Sequence, residues 1–186
     1  MGATADYITN LSNLKSGDLG RLRQLSGLDL DETVDGFDLF AGLWWPLRQK
    51  NKNAPNRRVA WLIAKLYAFC PLEQAEGCYF VSQLRRCEPY EIKSRERFRK
   101  KFDELLLSPL ENLEPYLQWA LKEIASLKEP RLDWIKLTDD LSIWEKGEYH
   151  SYKKDIRQKD IRLFWTEKYL KIENNQNLFE GVKNAD

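Results

Sequence analysis

Few residues in this chain could do covalent or acid-base chemistry. His150 is the only histidine, so a Ser-His-Asp or Cys-His arrangement, or any multi-histidine metal site, would have to run through one imidazole. It follows Tyr149 with no nucleophile beside it, which points to a surface or structural role. Cys70, Cys78 and Cys87 are odd in number and lack Cys-x2-Cys spacing, so they are expected to be reduced thiols rather than a disulfide framework or a metal site. Asp29, Asp31 and Asp35 suggest a calcium loop, but the glycine and glutamate that an EF-hand loop needs further along are missing. The Gly17 to Gly20 stretch lacks the Lys-Ser/Thr of a phosphate loop. Asp139 and Asp140, adjacent on a helix, diverge and read as a solvated face rather than a proton-sharing pair. No catalytic residue, metal ligand or cofactor is assigned, and most hydrolase chemistries are disfavoured.

What remains is charge. Thirty Lys and Arg stand against twenty-nine Asp and Glu, a net charge of only +1. The charges are segregated along the chain. The first forty residues carry net −4, and positions 48 to 58 hold Arg48, Lys50, Lys52, Arg57 and Arg58 with no acid among them. Positions 85 to 101 sum to +5, positions 102 to 145 to −6 and positions 146 to 171 to +4. Binding a polyanion requires a local field that displaces its counterions, and a segregated surface supplies one where the average cannot. The plain alternative is that helical proteins wear Lys and Arg on their wet faces. Lys93, Arg97 and Lys100 recur at i, i+4 and i+7, opposite the apolar Phe98, Phe102, Leu105 and Leu106, so one side of that helix is core and the other positive. Trp45 or Tyr90 could stack on a base if exposed, although aromatic residues at helical spacing belong more often to a core.

The elements that must carry these residues are helical. The chain has 186 residues and a mass of 22.0 kDa, enough for a real core. It contains 28 Leu against 4 Val and 5 Thr, and unbranched side chains keep their freedom in a helix while β-branched ones favour strands. The fold class expected is all-α. The longest apolar run, around Ala60 to Ala64, falls far short of the roughly 20 residues of a membrane span. No secretion signal opens the chain, and a cytoplasmic protein with no membrane partner is expected. Ser16 to Gly27 reads as a short helix with Ser16 as cap and Gly27 as stop. The spacing from Phe37 to Leu47 predicts a helix that kinks or ends near Trp45, because Pro46 removes a donor. Pro55 suits the first position of a helix whose buried face is Val59, Leu62, Ile63, Leu66 and Phe69. Periodicity lapses from Pro71 to Gly77, a candidate hinge. Helices are then predicted over Tyr79 to Arg86, Glu91 to Leu107, and along Leu113 to Leu127. Asp133 should cap a helix through Trp134 and Trp144 to Gly147. A last helix, about 151 to 172, is apolar on two seams, Ile156/Leu163/Leu170 and Ile161/Trp165/Ile172, as for a helix sandwiched in a core or in contact with a partner. The architecture expected is a helical bundle in two small packed subdomains, residues 1–75 and 76–186.

The run from Phe40 through Trp44, Trp45 and Pro46, the segment from Arg95 to Leu107, the Leu132-Asp133-Trp134 lead into Leu137 and Leu141, and Ile161 to Trp165 together resemble the CasB family. That family is the small subunit of the type I-E CRISPR Cascade complex. The resemblance covers most of the chain, best from Cys78 to Leu170. It implies an all-helical, non-catalytic subunit, present as a pair, that contacts the large and backbone subunits, the guide crRNA and the target DNA, and steadies the displaced strand and the guide-target duplex. Arg23 matches a family arginine, Lys100 and Lys101 match a basic pair, and Arg157 and Arg162 match the basic character of the final helix. Gln24 and Trp119 depart from positions that can be basic. The candidate nucleic-acid-binding residues are therefore Arg23, Arg57, Arg58, Lys93, Arg97, Lys100, Lys101, Arg157 and Arg162. A purely structural helical adaptor, binding protein only, is the alternative. Guide pairing carries sequence choice in such complexes, so sequence-blind phosphate contacts suffice to tip a near-balanced strand exchange.

Overall fold

The computed structural model of the chain describes residues 2–150 and 161–170. Within them the fold is all-α: α1 (Ala3–Ser12), α2 (Ser16–Gln24), α3 (Phe37–Lys50), α4 (Arg57–Phe69), α5 (Phe80–Arg86), α6 (Ile92–Leu107), a 3-10 turn (Leu110–Asn112), α7 (Glu114–Ala125), α8 (Trp134–His150) and α9 (Ile161–Leu170), with two short strands, β1 (Glu73–Gln74) and β2 (Arg131–Leu132). No helix among the described residues is long and apolar enough to cross a membrane.

The centre is α4. Every residue from Val59 to Ala68 is buried, as expected of a helix that is apolar nearly all round. It starts two residues later than Pro55 suggests. Asn56 is the cap, its side-chain oxygen accepting from the Val59 amide at 3.0 Å, so Pro55 lies outside the helix. α2 and α3 pack on α4 from the N-terminal side, and α7 and α8 from the C-terminal side. An ion pair is buried against this helix: the Lys65 ammonium donates to the Leu28 carbonyl at 2.8 Å and to the Glu114 carboxylate. Glu114 also accepts from the Gly27 amide and the Ser26 hydroxyl, each at 3.0 Å. Both charges are thus paired and hydrogen-bonded, the condition under which burial is tolerated.

α1 has no counterpart among the helices expected from the sequence. It buries Tyr7, Ile8 and Leu11 and packs on α3 and α8. In α2, Ser16 lies inside the helix and Lys15 is the capping residue, while Gly27 closes the following turn at φ +80°. α3 runs unbroken through Pro46 to Lys50. The carbonyl that loses its donor there belongs to Gly42, an exposed position where water can satisfy it. α8 continues past Gly147 to His150. Residues 151–160, which include Ile156 and the first half of the expected last helix, and the tail from 171 lie outside the described residues.

The lapse of helical periodicity after Pro71 corresponds to a strand. β1 pairs in parallel with β2, Glu73 opposite Arg131 and Gln74 opposite Leu132. Asp133 caps α8 as expected, accepting from the Lys136 amide at 3.0 Å, and its other oxygen accepts from the Gly77 amide at 3.1 Å. Gln74 accepts from the Trp134 amide at 2.8 Å, and the Trp134 indole donates to the Leu72 carbonyl at 2.9 Å. The expected division between residues 75 and 76 falls inside this junction, and a single hydrophobic cluster running from Tyr7 to Tyr169 spans both sides of it.

Candidate nucleic-acid interface

α6 is built to show one face. Phe98, Phe102 and Leu105 are buried, with Phe98 edge-on to Trp119 and Phe102 stacked on Tyr169 at 4.2 Å between ring centres. The opposite side presents Lys93, Arg97 and Lys100, all exposed. Glu91 caps the helix, accepting from the Ser94 amide at 2.8 Å and the Lys93 amide at 3.2 Å. The Ser94 hydroxyl and these amides hold its carboxyl below the usual range. The first turn contains no acid; it contains Lys93, a cation where the helix dipole disfavours one.

The neighbouring arginines of α6 are engaged at home. Arg99 pairs with Glu88. Arg95 donates to the Pro89 carbonyl at 3.1 Å and the Tyr90 carbonyl at 2.6 Å, clamping the turn before the helix. Burial would push the Glu88 carboxyl up, but the hydrogen bond and charge of Arg99, with a hydrogen bond from Tyr169, hold it below its ordinary value. Among the described residues, Lys93, Arg97 and Lys100 make no ion pair. From Lys93 to Lys100 is seven steps, about 10 Å of helix axis, a length over which a nucleic-acid duplex presents about six phosphate charges.

The other expected residues are placed differently. Lys101 is exposed, but its ammonium stands 5.3 Å from the Trp119 ring centre, a cation-π contact. Arg57 and Arg58 occupy the first two positions of α4 and face carboxylates, Arg57 with Asp31 at 3.1 Å and Arg58 with Glu111 at 2.6 Å. The Glu111 hydrogen bond raises the Arg58 pKa, against a smaller opposing effect of burial. Both line a cleft of about 280 Å³ that also contains Asp29, Glu32 and the Lys65-Glu114 pair. Arg23 donates from Nε to the Ala68 carbonyl at 3.0 Å, satisfying the carboxyl end of α4. The Arg162 guanidinium lies 4.8 Å from the Trp144 ring centre. Arg157 lies outside the described residues. The nine candidates therefore do not form one track. Three of them make an unpaired row on α6, with Lys101 beside it, and the others that the structure describes hold internal contacts.

The acidic candidates resolve similarly. Asp139 and Asp140 do diverge, but only Asp139 is exposed; Asp140 is buried, accepting from the Trp165 indole at 2.9 Å and from Lys136. Asp31 serves Arg57. Two cations outside the expected set, Lys50 and Lys52, are exposed in the stretch of chain that follows the half-exposed Trp45. The acid-free run from residue 48 to 58 was the sequence signal for them.

Comparison with known proteins places this geometry. The model of the family CRISPR-associated protein Cse2 matches residues 18–169. The fold is similar to that of M. ruber CasB, at 18% identity over 92% of this chain and 94% of that one with a TM-score of 0.66. It is also similar to a CRISPR-associated protein of the Cse2 family from Thermus thermophilus, at 16% identity over 92% and 99% of the two chains with a TM-score of 0.61. No curated protein matches the chain. The two crystal structures establish the shared fold, and the family model, which spans α2 to α9, establishes descent: this chain belongs to the CRISPR-associated protein Cse2 family.

Proposed function

We propose that the chain is the non-catalytic small subunit of a type I-E CRISPR Cascade complex, and that it binds nucleic-acid backbone without reading sequence. Membership of the Cse2 family supports a Cascade small subunit. The observation that carries the finer reading is the row Lys93, Arg97, Lys100: exposed cations on one helix face, unpaired within the described chain, with Lys93 where helix stability alone would not put it. Such a row supplies phosphate contacts and no base-edge contacts, which is the requirement on a subunit whose complex delegates sequence choice to guide pairing. Its partners in this reading are the large and backbone subunits, a second copy of itself, the guide crRNA and the target DNA. The contacts lower the free energy of the opened state by holding the displaced strand and the guide-target duplex.

The test is assembly with guide RNA and the other subunits, carrying Lys93→Gln, Arg97→Gln and Lys100→Gln together. Normal assembly with faster loss of target DNA is the expected result; unaltered retention overturns the reading. One observation favours the adaptor as a second reading. On α9, Ile161 and Trp165 are buried while Leu163 and Leu170 remain 57% and 51% exposed. A subunit that bound protein only, through that seam, would show no shift of single-stranded DNA in a low-salt gel and would fail to assemble when Leu163 is changed to Asp.

A further inference from the structure

A ladder of aromatic rings leads from the core to the surface at the end of α3. Trp61 meets Phe40 edge-on at 5.3 Å, Phe40 stacks on Trp44 at 5.7 Å and 8°, and Trp44 touches Trp45 at 5.7 Å between ring centres. Phe40 and Trp61 are almost completely buried, whereas Trp45 is 52% exposed. The ladder is anchored at Trp44. Trp44 donates its indole N–H to the Pro55 carbonyl at 2.8 Å. Arg48 donates to the Lys52 and Ala54 carbonyls, the latter at 2.9 Å. These bonds pin the loop 51–55 against α3. Lys52 lies in that pinned loop and Lys50 ends α3; both are exposed, and neither makes an ion pair among the described residues. No acid occurs between residues 39 and 72.

A half-exposed indole set against Trp44, which is itself stacked on buried Phe40, is a ring surface backed by the core. The Lys52 carbonyl bound by Arg48, one helical turn from Trp45, brings a lysine of an acid-free segment to this end of α3, which favours an anion. The geometry points to a base-stacking platform: we infer that Trp45 receives an unpaired base of single-stranded nucleic acid, with Lys52 on an adjoining phosphate. Every base has a π-face, so such a contact is sequence-blind and yet demands an unpaired strand, which a row of cations alone does not. It adds to α6 a means of distinguishing opened strand from duplex. The inference rests on the reading of the chain as a nucleic-acid-binding subunit. It is separable from that reading because stacking carries no charge and leaves the salt dependence alone.

The experiment uses the purified full-length chain and three labelled probes of equal length: oligothymidine, the same backbone with abasic spacers, and a duplex. Fluorescence anisotropy is measured for wild type, Trp45→Ala and Trp45→Phe, with melting temperature and circular dichroism as folding controls. Trp45→Ala should weaken oligothymidine binding about 5- to 150-fold, leave the abasic and duplex probes within about twofold, and keep the salt slope. Trp45→Phe, which retains a ring, should recover most of the loss. Equal binding of oligothymidine by Trp45→Ala and wild type overturns the platform, including the case in which the substitution impairs only assembly with protein subunits. An equal loss on all three probes also overturns it. Wild type that binds none of the probes overturns both the platform and the reading on which it rests.

Discussion

Replacing Lys93, Arg97 and Lys100 by Gln tests the phosphate row through its salt dependence. Glutamine matches Lys and Arg in helix propensity, the three side chains are exposed, and none is ion-paired within the described chain. Helical content and melting temperature should therefore hold; removing Lys93 from the first turn even relieves an unfavourable dipole contact. If each cation displaces one counterion from a single strand, the slope of log K against log salt becomes shallower by about 2. Between 50 and 200 mM salt the variant then loses about 18-fold less affinity than wild type, so its defect is largest at low salt and shrinks on titration. On duplex the corresponding figure is about 40-fold. The assay is fluorescence anisotropy of a labelled 20-nucleotide strand across a salt series, repeated with target-DNA retention in the assembled complex. The comparison variant is Arg57→Gln with Arg58→Gln: Asp31 and Glu111 already neutralise these residues, so its slope should move by less than half as much. Parallel salt lines for wild type and the α6 variant, or a larger change in the comparison variant, would refute the argument.

The core and the titratable groups give further expectations. Glu114→Ala leaves the buried Lys65 ammonium with only the Leu28 carbonyl and should cost about 3–5 kcal/mol in denaturant unfolding, with Lys65→Met plus Glu114→Leu recovering most of it. Gly36 precedes α3 at φ +76°, and a Cβ there would run into Leu25 Cδ1; Gly36→Ala should lower stability by about 1–3 kcal/mol in the same measurement, whereas a mutation at open Gly42 should not. The Cys87 thiol is pushed up to about 11, by burial first and by Glu123, against Arg86; at pH 8 about one molecule in a thousand carries the thiolate, so alkylation should be slow until the chain is unfolded. Because Glu88 is held below its ordinary range when folded, its contribution is present above the unfolded value of about 4.3 and lost as pH falls through the lowered one. The melting-temperature gap between wild type and Glu88→Gln should accordingly close on acidification.

The fold was legible where periodicity and caps agreed. α4, α6 and α7 announced themselves by apolar stripes, and Asp133 by its position before one. The misreadings share a cause, which is that a local rule met a tertiary solution. Pro46 leaves a carbonyl without a donor at an exposed Gly42, so the helix does not break there. Pro55 suited a first turn, but Asn56 is a better cap by virtue of its side-chain acceptor. The segment after Pro71 lacked period because two residues pair with a strand nearly sixty positions away, and so short a pairing leaves no alternation to detect. Asp140 looked like a solvated acid because nothing near it in sequence reveals the indole of Trp165, from which it accepts inside the core.

For the interface, the sign of the charge was readable from residue order, whereas its availability depends on the fold. Lys93, Arg97 and Lys100 were found by spacing because the partners that would have neutralised them are local, at i±3 and i±4; Arg97 has no acid there, and Glu96, Asp103 and Glu104, which stand at those positions of Lys93 and Lys100, make no ion pair with them. Arg57 and Arg58 looked equally free in an acid-poor stretch, yet Asp31 and Glu111 come from 26 and 53 residues away, beyond the reach of any window. Lys101 was claimed by Trp119, the position where the family resemblance marked a departure. That coincidence has a physical reading: an aromatic in place of a cation removes one charge and draws a neighbouring ammonium onto its face. On the proposed reading, a phosphate contact missing at α7 would thereby withdraw a second at α6. On this argument Trp119→Lys would do two things together, adding a charge and releasing Lys101, and should steepen the salt slope by about two contacts rather than one. A steepening of one contact alone would show that Lys101 reaches phosphate from its place over the ring.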